Sequence, residues 1–252
     1  MILAIDIGNT TVEIGFVEEN FIKSYKLSSD LSKTIDDWFL DFILIKNIEK
    51  NEVKAGFISS VVPNLTEKIK NAIKKSFNIN IYTVGEDIQV PIKINYEKPE
   101  EVGIDRVLNA YAGINISEPP LIIIDLGTAI TFDIVNEKGE YEGGAIFPGM
   151  ESSIFALFSK TAKLPKVDIK ITEDIIGKTT VKSIQSGIYF GYVSLIDGMI
   201  EKFQKKLNNK ASVILTGGHS EIISSGLSHK HILEKNLSLI GIKLLSKSVK
   251  LL

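Results

Sequence analysis

The 252-residue sequence contains no cysteine and very little arginine. Without cysteine the chain cannot form disulfides, thiolate metal sites or a cysteine nucleophile, and we expect a cytoplasmic protein. No apolar run approaches the ~18 residues that a membrane-spanning helix needs, and no basic segment followed by an apolar one indicates export. The formal net charge of −2 gives no reason to expect nucleic acid as a partner. We therefore expect no membrane partner and no nucleic-acid partner.

Several motifs that identify common enzyme classes are also missing. No G-x-x-x-x-G-K-[ST] segment is present, which excludes a P-loop protein, and no G-x-G-x-x-G opens a helix, which argues against a dinucleotide dehydrogenase. No G-x-S-x-G elbow accompanies the serines. The His229-Lys230-His231 segment could bind a metal, but we favour a solvated loop or helix cap.

The periodicity of apolar residues predicts a mixed α/β chain. Alternation with a period of two indicates strands, and spacing near 3.6 indicates helices. The predicted strands are near 2–7, 11–18, 21–28, 55–62, 79–84, 121–135, 139–146 and 213–218. The predicted helices are near 31–49, from Pro63 onward, near 104–114, 149–160, 181–207 and 236–250.

One pattern occurs twice along the chain. LAIDIGNTTVEIGFV (3–17) and LIIIDLGTAITFDIV (121–135) each read as an apolar strand, then Asp-x-Gly-x-Thr, then an alternating strand. The two aspartates, Asp6 and Asp125, lie 119 residues apart, close to half of the chain. Such a repeat predicts two similar α/β halves that face each other, residues 1–117 and 118–252.

Each repeat places a carboxylate at the end of a strand, before a small turn-forming segment. A local turn is one explanation, because Asp, Gly and Asn favour turns. The other is a ligand site, because ligands of open α/β sheets bind at the carboxyl ends of strands. Gly8 and Gly127 would let a phosphate approach the backbone, and carboxylate oxygens suit Mg²⁺. LTGG (215–218) follows a late strand and suits the nucleoside end of a nucleotide.

The sole arginine lies beside an aspartate in GIDR. Lysine supplies 28 of the 29 basic residues, so Arg106 is expected where a planar, bidentate donor is needed, although an ordinary surface ion pair remains open. Asp105 is a candidate base for the proton of an acceptor hydroxyl. The alternative for Asp105 is a helix N-cap paired with Arg106.

Three glycines interrupt the long helix predicted near 181–207: Gly187, Gly191 and Gly198. Each costs roughly 1 kcal/mol relative to alanine inside a helix. Close approach of another helix would compensate for this cost, and a kinked helix without an interface is the alternative.

Taken together, the motifs resemble type III pantothenate kinase. They are Asp-x-Gly-Asn-Thr (6–10), SSVVP (59–63), Tyr-x-x-x-Glu-x-x-Gly-x-Asp-Arg (96–106), Asp-x-Gly-Thr-Ala-x-Thr (125–131), GGAIFPG (143–149), SIQSG (183–187) and LTGG (215–218). The resemblance implies two ribonuclease-H-like halves (a duplicated βββαβαβα arrangement) with an ATP cleft between them. It also implies phosphorylation of pantothenate, the first step of coenzyme A synthesis, by a homodimer that uses Mg²⁺ and a monovalent cation such as K⁺ or NH₄⁺.

The same resemblance implies roles for individual residues. Asp105 is the implied proton acceptor, Asp125 the implied ligand of the monovalent cation, and Asp6 holds Mg²⁺ through water. The implied ATP contacts are Asp6, Ile7, Gly8, Asn9, Thr10, Thr11, Val12, Glu13 and Thr128. The implied pantothenate contacts are Tyr96, Gly103, Ile104, Asp105, Arg106 and Thr180.

Two other functions stay open at this point. One is a non-catalytic regulator like the Bvg accessory factor proteins, which resemble the family. The other is a kinase for a different small hydroxy acid or sugar. The intact Asp6 and Asp105–Arg106 pair favour an enzyme over a regulator.

Overall fold

The computed structural model describes residues 1–19, 21–49 and 52–249. Within these ranges the chain forms strands and helices in mixed order, with a short 3-10 turn at Pro99–Glu101. The strands are β1 (Ile2–Ile7), β2 (Thr11–Val17), β3 (Ile22–Ser28), β4 (Ala55–Ser60), β5 (Asn80–Thr83), β6 (Leu121–Leu126), β7 (Ala129–Val135), β8 (Tyr141–Pro148), β9 (Ser212–Thr216) and β10 (Ile232–Leu233). The helices are α1 (Ile35–Glu49), α2 (Pro63–Phe77), α3 (Ile104–Ile116), α4 (Met150–Lys160), α5 (Thr180–Lys206), α6 (Ser220–Ser224) and α7 (Leu237–Ser246).

The chain divides into two compact units. Unit 1 contains Met1–Ile92, Glu100–Ala112 and the residues from Asn236 onward, and unit 2 contains Lys93–Pro99 and Gly113–Lys235. The C-terminal helix α7 therefore belongs with the N-terminal sheet. The contiguous division at 117/118 stays a prediction.

Unit 1 is built on a five-stranded sheet in the order β3-β2-β1-β4-β5. Strands β1, β2 and β3 are antiparallel neighbours, and β4 and β5 run parallel to β1. Because side chains alternate between the faces of a strand, Leu3, Ile5 and Ile7 pack with α1 and α2 on one face. Ile2 and Ala4 pack with α3 and α7 on the other.

Unit 2 repeats this topology with a sheet in the order β10-β9-β6-β7-β8. Strands β6, β7 and β8 are antiparallel, and β9 and β10 run parallel to β6. One face carries Ile122, Ile124 and Leu126 of β6 against helices α4, α5 and α6. The predicted duplication is therefore confirmed at the level of strand order and direction.

Helix α1 begins four residues later than predicted, at Ile35 rather than near residue 31. Thr34 and Asp37 form a reciprocal cap: the Thr34 N–H donates to Asp37 Oδ2 at 2.8 Å, and the Asp37 N–H donates to Thr34 Oγ1 at 3.2 Å. This capping box fixes the first turn. The Thr-x-x-Asp spacing was present in the sequence and marks the correct start.

The other differences concern short or terminal elements. Helix α6 and strand β10 were not predicted, because five and two residues are too few to carry a period. Helix α7 ends at Ser246, and the predicted end at residue 250 lies outside the described residues.

Helix α5 runs unbroken over 27 residues and contains all three glycines. A Cβ added at Gly187, Gly191 or Gly198 would meet no atom of the described chain within 4 Å. No other helix of the described chain therefore packs against these glycines, and the close approach of a helix from a second copy stays a prediction.

Candidate functional site

A row of polar side chains crosses unit 1 at the carboxyl end of β1. Asp6 pairs with Glu13 of antiparallel β2 and with Ser59 of parallel β4. All three lie on the face that α3 and α7 cover, because their strand neighbours two residues away belong to that side of the core. Ile7 and Val12 are fully buried on the opposite face, so only their backbone can contact a ligand.

Strand β3 fixes the carboxylate of Glu13. The Ser24 hydroxyl donates to Glu13 Oε1 at 2.8 Å, and Lys26 Nζ lies 3.4 Å from Oε2. Both partners follow from the register, since Lys26 pairs directly with Glu13. These two contacts hold the Glu13 side chain in one orientation beside Asp6.

Asp105 reaches the same end of the sheet from the first turn of α3. Its Oδ1 accepts a hydrogen bond from the Arg106 N–H at 2.8 Å. A Cβ at Gly103 would lie only 2.5 Å from Asp105 Oδ1, so glycine is needed in GIDR to make room for the carboxylate. Burial raises the pKa of Asp105, while the Arg106 N–H and guanidinium charge oppose that rise.

The partly buried carboxyl of Asp6 has a pKa of about 6, raised from 3.8. Burial is the largest cause, followed by repulsion from Asp105, and Glu13 adds a smaller repulsion. The hydroxyl group of Ser238 acts in the opposite direction by stabilising the ionised form. Asp6, Asp105 and Glu13 therefore concentrate negative charge at one point of unit 1.

Two of these neighbours were not identified as site residues from the sequence. Ser59 lies in the SSVVP motif but had no assigned role, although its place beside Asp6 follows from the strand pairing. Ser238 lies 232 residues after Asp6, and no local signal indicates that contact.

The turn between β1 and β2 is closed by main-chain and serine hydrogen bonds. The Gly8 N–H donates to the Thr11 carbonyl at 3.0 Å, and Ser29 Oγ donates to the Gly8 carbonyl at 2.6 Å. The Gly8 N–H is therefore already hydrogen-bonded within the turn. Asn9, Thr10 and Thr11 are exposed at its tip, where their side chains can reach a ligand.

Unit 2 contains the equivalent row with different chemistry. Asp125 pairs with Thr131 of β7 and with Thr216 of β9, the positions that Glu13 and Ser59 occupy in unit 1. Gly217 has φ +90°, and a Cβ there would clash with Asp125 Oδ1 and with the backbone of Leu126. Glycine is therefore required in LTGG for the backbone to pass the carboxylate.

The remaining predicted contacts of unit 2 lie on three separate segments. Thr128 is exposed in the β6–β7 turn, and its carbonyl accepts hydrogen bonds from the Gly149 N–H at 3.0 Å and from Ser152 Oγ at 2.8 Å. Tyr96 lies against β8, where its Cε2 would be 2.8 Å from a Cβ at Gly143. Thr180 is the exposed first residue of α5.

A cavity of about 570 Å³ opens beside Thr128 in unit 2. Its lining includes Glu151 and Ser152 from α4, Asp168 from the following loop, and His219, which directly follows LTGG. His219 Nε2 lies 3.5 Å from Glu151 Oε1. The cavity therefore combines polar side chains with the apolar Ile154, a suitable lining for a nucleoside.

The histidines near residue 230 have structural partners. His229 Nδ1 lies 2.7 Å from Asp197 Oδ1, and His231 Nε2 lies 2.7 Å from Ser224 Oγ. Among the described residues no group of three His, Asp or Glu side chains could hold a metal ion directly.

Comparison with known proteins identifies the family. A model of the type III pantothenate kinase family matches residues 2–202. A type III pantothenate kinase from Persephonella marina is 58% identical over 246 residues, which cover 96% of each chain. The chain belongs to the type III pantothenate kinase family.

Solved structures extend the comparison to the fold. A protein described as a Baf family transcriptional activator from Campylobacter jejuni has a TM-score of 0.56 and 20% identity, over 98% of this chain and 97% of that chain. A ROK family glucokinase from Streptomyces griseus has a TM-score of 0.56 and 11% identity, over 98% and 99%. These likenesses concern the fold alone, and the predicted fold class with two ribonuclease-H-like halves is confirmed.

Membership in the type III pantothenate kinase family does not favour either alternative, the accessory-factor-like regulator or the kinase for another substrate. Among the residues that the structure describes, no helix has the length and apolar character needed to cross a membrane.

The raised pKa of Asp6 predicts how stability depends on pH. Between pH 3.8 and about 6 the folded protein retains a proton that the unfolded chain has released, so the Asp6 contribution to stability falls as the pH rises through this window. We expect the free energy of unfolding of Asp6→Asn to exceed that of the wild type by about 3 kcal/mol at a pH of about 7.5. Urea unfolding in the presence of a chelator measures this difference.

Near a pH of about 4 the protonated Asp6 is neutral like asparagine, so the difference between the two proteins should nearly vanish. An equal difference at both pH values would contradict the interpretation that repulsion and burial of the ionised carboxylate cause it.

Proposed function

We propose that this protein transfers the γ-phosphoryl group of ATP to the primary hydroxyl of pantothenate. The product is 4′-phosphopantothenate, and the reaction is the first step of coenzyme A biosynthesis. The observation that carries the proposal is the family match over residues 2–202. The row of Asp6, Glu13 and Ser59 beside Asp105 supplies chemistry that fits phosphoryl transfer.

Asp105 is the proposed general base. A base must ionise at working pH yet still hold a proton well enough to accept it from the alcohol. Burial raises the pKa of Asp105 toward that range, and the Arg106 N–H fixes Oδ1, which leaves Oδ2 for the substrate hydroxyl. Arg106, in the same turn, is the proposed donor to an anionic group of the substrate.

Asp6 is the proposed contact of Mg²⁺ through water, and bound Mg²⁺ would neutralise charge on the phosphates. The site fits a cation because Asp6, Asp105 and Glu13 repel one another. Residues Asp6 to Glu13 form the proposed phosphate loop, with exposed Asn9, Thr10 and Thr11 at its tip.

In unit 2, Thr128 and the cavity beside it are the proposed contacts of the nucleoside end of ATP. Asp125 is the proposed ligand of a monovalent cation, K⁺ or NH₄⁺. The strand neighbours Thr131 and Thr216 could supply further oxygens beside the Asp125 carboxylate. The proposed pantothenate contacts are Tyr96, Gly103, Ile104, Arg106 and Thr180.

A direct assay tests the proposed reaction. Purified protein with ATP, Mg²⁺ and K⁺ should convert pantothenate to 4′-phosphopantothenate and should leave a panel of sugars and other hydroxy acids unphosphorylated. Coupled detection of ADP with mass identification of the product measures both. If the protein phosphorylates another compound of the panel faster, that compound and not pantothenate is its substrate.

Asp105→Asn tests the base. The substitution removes the proton acceptor while keeping the shape of the side chain, so kcat should fall by about 10²–10⁴-fold while ATP binding persists. Glu118→Gln, an exposed carboxylate just beyond the end of α3 and outside the quoted motifs, is a matched control and should keep wild-type turnover. Near-normal turnover of Asp105→Asn would exclude the assignment.

We also propose that the protein is a cytoplasmic homodimer that assembles through α5. The exposed residues Ser183, Gly187, Gly191 and Ser194 form a stripe of small side chains at spacings of three and four. Such a stripe lets a second helix approach closely, which would compensate for the glycines. Exposed Phe155 on α4 adds apolar area for contact.

The substitution Gly191→Leu tests dimer assembly without disturbing the fold of one chain. Because a Cβ at Gly191 meets nothing within 4 Å in one chain, leucine should leave the fold intact and raise helix propensity by up to ~1 kcal/mol. The dimer should dissociate, as measured by light scattering after size exclusion. Lys205→Leu, exposed near the end of the same helix, should remain dimeric. A Gly191→Leu dimer as tight as the wild type would place the interface elsewhere.

A further inference from the structure

Helix α7 brings a hydroxyl group to the most crowded carboxylate of unit 1. Ser238 is the second residue of α7, and its side chain hydrogen-bonds to the carboxylate of Asp6. A hydroxyl can donate to an ionised carboxylate, whereas the acidic neighbours of Asp6 can only repel it. The Ser238 hydroxyl is thus a group that holds Asp6 against that repulsion.

The packing of α7 fixes the position of this hydroxyl. A Cβ at Gly15 of β2 would lie 2.8 Å from Leu239 Cδ1, and a Cβ at Gly241 would lie 2.9 Å from the Leu108 carbonyl of α3. Both glycines are therefore needed for α7 to lie this close to the sheet and to α3. Leu239 itself is fully buried, so Ser238 has little freedom to move away from Asp6.

The face of the sheet on which Asp6 lies determines which helices can supply its neighbours. Asp6 lies on the α3 and α7 side of β1, two residues after Ala4, which packs in the same cluster as Leu239. Asp105 approaches that side from the first turn of α3, and Ser238 approaches it from the first turn of α7. One helix therefore supplies a carboxylate and the other supplies a donor.

We propose that Ser238 is a positioning residue for phosphoryl transfer, which orients the Asp6 carboxylate for the metal ion of the bound nucleotide. This inference rests on the proposed function. It assigns to Ser238 no contact with substrate or metal, because the residue acts through Asp6.

The test measures nucleotide binding as well as activity. Calorimetric titration with the non-hydrolysable analogue AMP-PNP, with Mg²⁺ and then with a chelator, gives the gain in affinity due to Mg²⁺. We expect Ser238→Ala to reduce that gain by about 10-fold or more, with affinity in chelator unchanged. Ser238→Thr, which keeps the hydroxyl, should restore it.

A matched control lies on the same helix. Ser246 is buried near the other end of α7, and its hydroxyl donates to the Lys243 carbonyl at 2.8 Å. Ser246→Ala removes an equivalent group far along the helix from Asp6 and should leave the gain due to Mg²⁺ unchanged. If Ser238→Ala does not fold, Ser238→Cys offers a similar size with a weaker donor and should show the same loss.

The double variant decides whether Ser238 acts through Asp6. In the Asp6→Asn background, Ser238→Ala should cause no further loss of the gain, since effects transmitted through one residue are not additive. A further loss in that background would overturn the proposal, as would a Ser238→Ala protein with the full wild-type gain.

Failure of the proposed function and failure of the positioning role of Ser238 give different experimental results. If the wild type does not phosphorylate pantothenate, the proposed substrate is wrong, while the binding experiment still tests Ser238. If the wild type is active and Ser238→Ala keeps both the activity and the gain due to Mg²⁺, only the positioning role is wrong.

Discussion

The carboxylates of Asp105 and Glu13 repel that of Asp6, and the carboxyl end of β1 in unit 1 is organised around this repulsion. Each carboxylate comes from a different helix or strand, and each is held by its own hydrogen-bond or ion-pair partners. Ser24 and Lys26 fix Glu13, the Arg106 N–H fixes Asp105, and Ser238 stabilises Asp6. The sheet tolerates this cluster because both of its faces bury continuous apolar side chains away from the carboxyl end of β1. Natural proteins commonly sacrifice stability in this way where a site must bind a cation.

The two units share the same strand pairing around the central aspartate but place different side chains beside it. Both units pair a central aspartate with one residue on an antiparallel neighbour and one on a parallel neighbour, yet unit 1 uses Glu13 and Ser59 where unit 2 uses Thr131 and Thr216. The Thr131 hydroxyl donates a hydrogen bond to Asp133 Oδ2 at 2.8 Å. The strand register thus determines where an oxygen lies, and the residue type determines how much charge surrounds it.

Much of this arrangement could be predicted from the sequence because it depends on local periodicity. The repeat around Asp6 and Asp125 predicted two sheets of the same topology, and GIDR placed Asp105 at the start of a helix. Ser59 and Ser238 could not be assigned, because their contacts with Asp6 arise from strand pairing and helix packing between distant segments. The glycines of α5 predicted close approach of another helix, and nothing in a single sequence distinguishes a neighbour in the same chain from one in a second copy.

The charge balance at Asp6 also bears on how the site meets a ligand. With a pKa of about 6, Asp6 is mostly ionised at neutral pH, so the repulsion is present in the folded protein before any cation arrives. A cation that binds there gains its own attraction to the carboxylates and also relieves repulsion between them. Rigid placement strengthens this effect, because carboxylates that could turn apart would already have lowered the repulsion. Under the proposed function, the close packing of α7 and α3 against β1 and β2, which Gly15 and Gly241 permit, would therefore contribute to cation affinity.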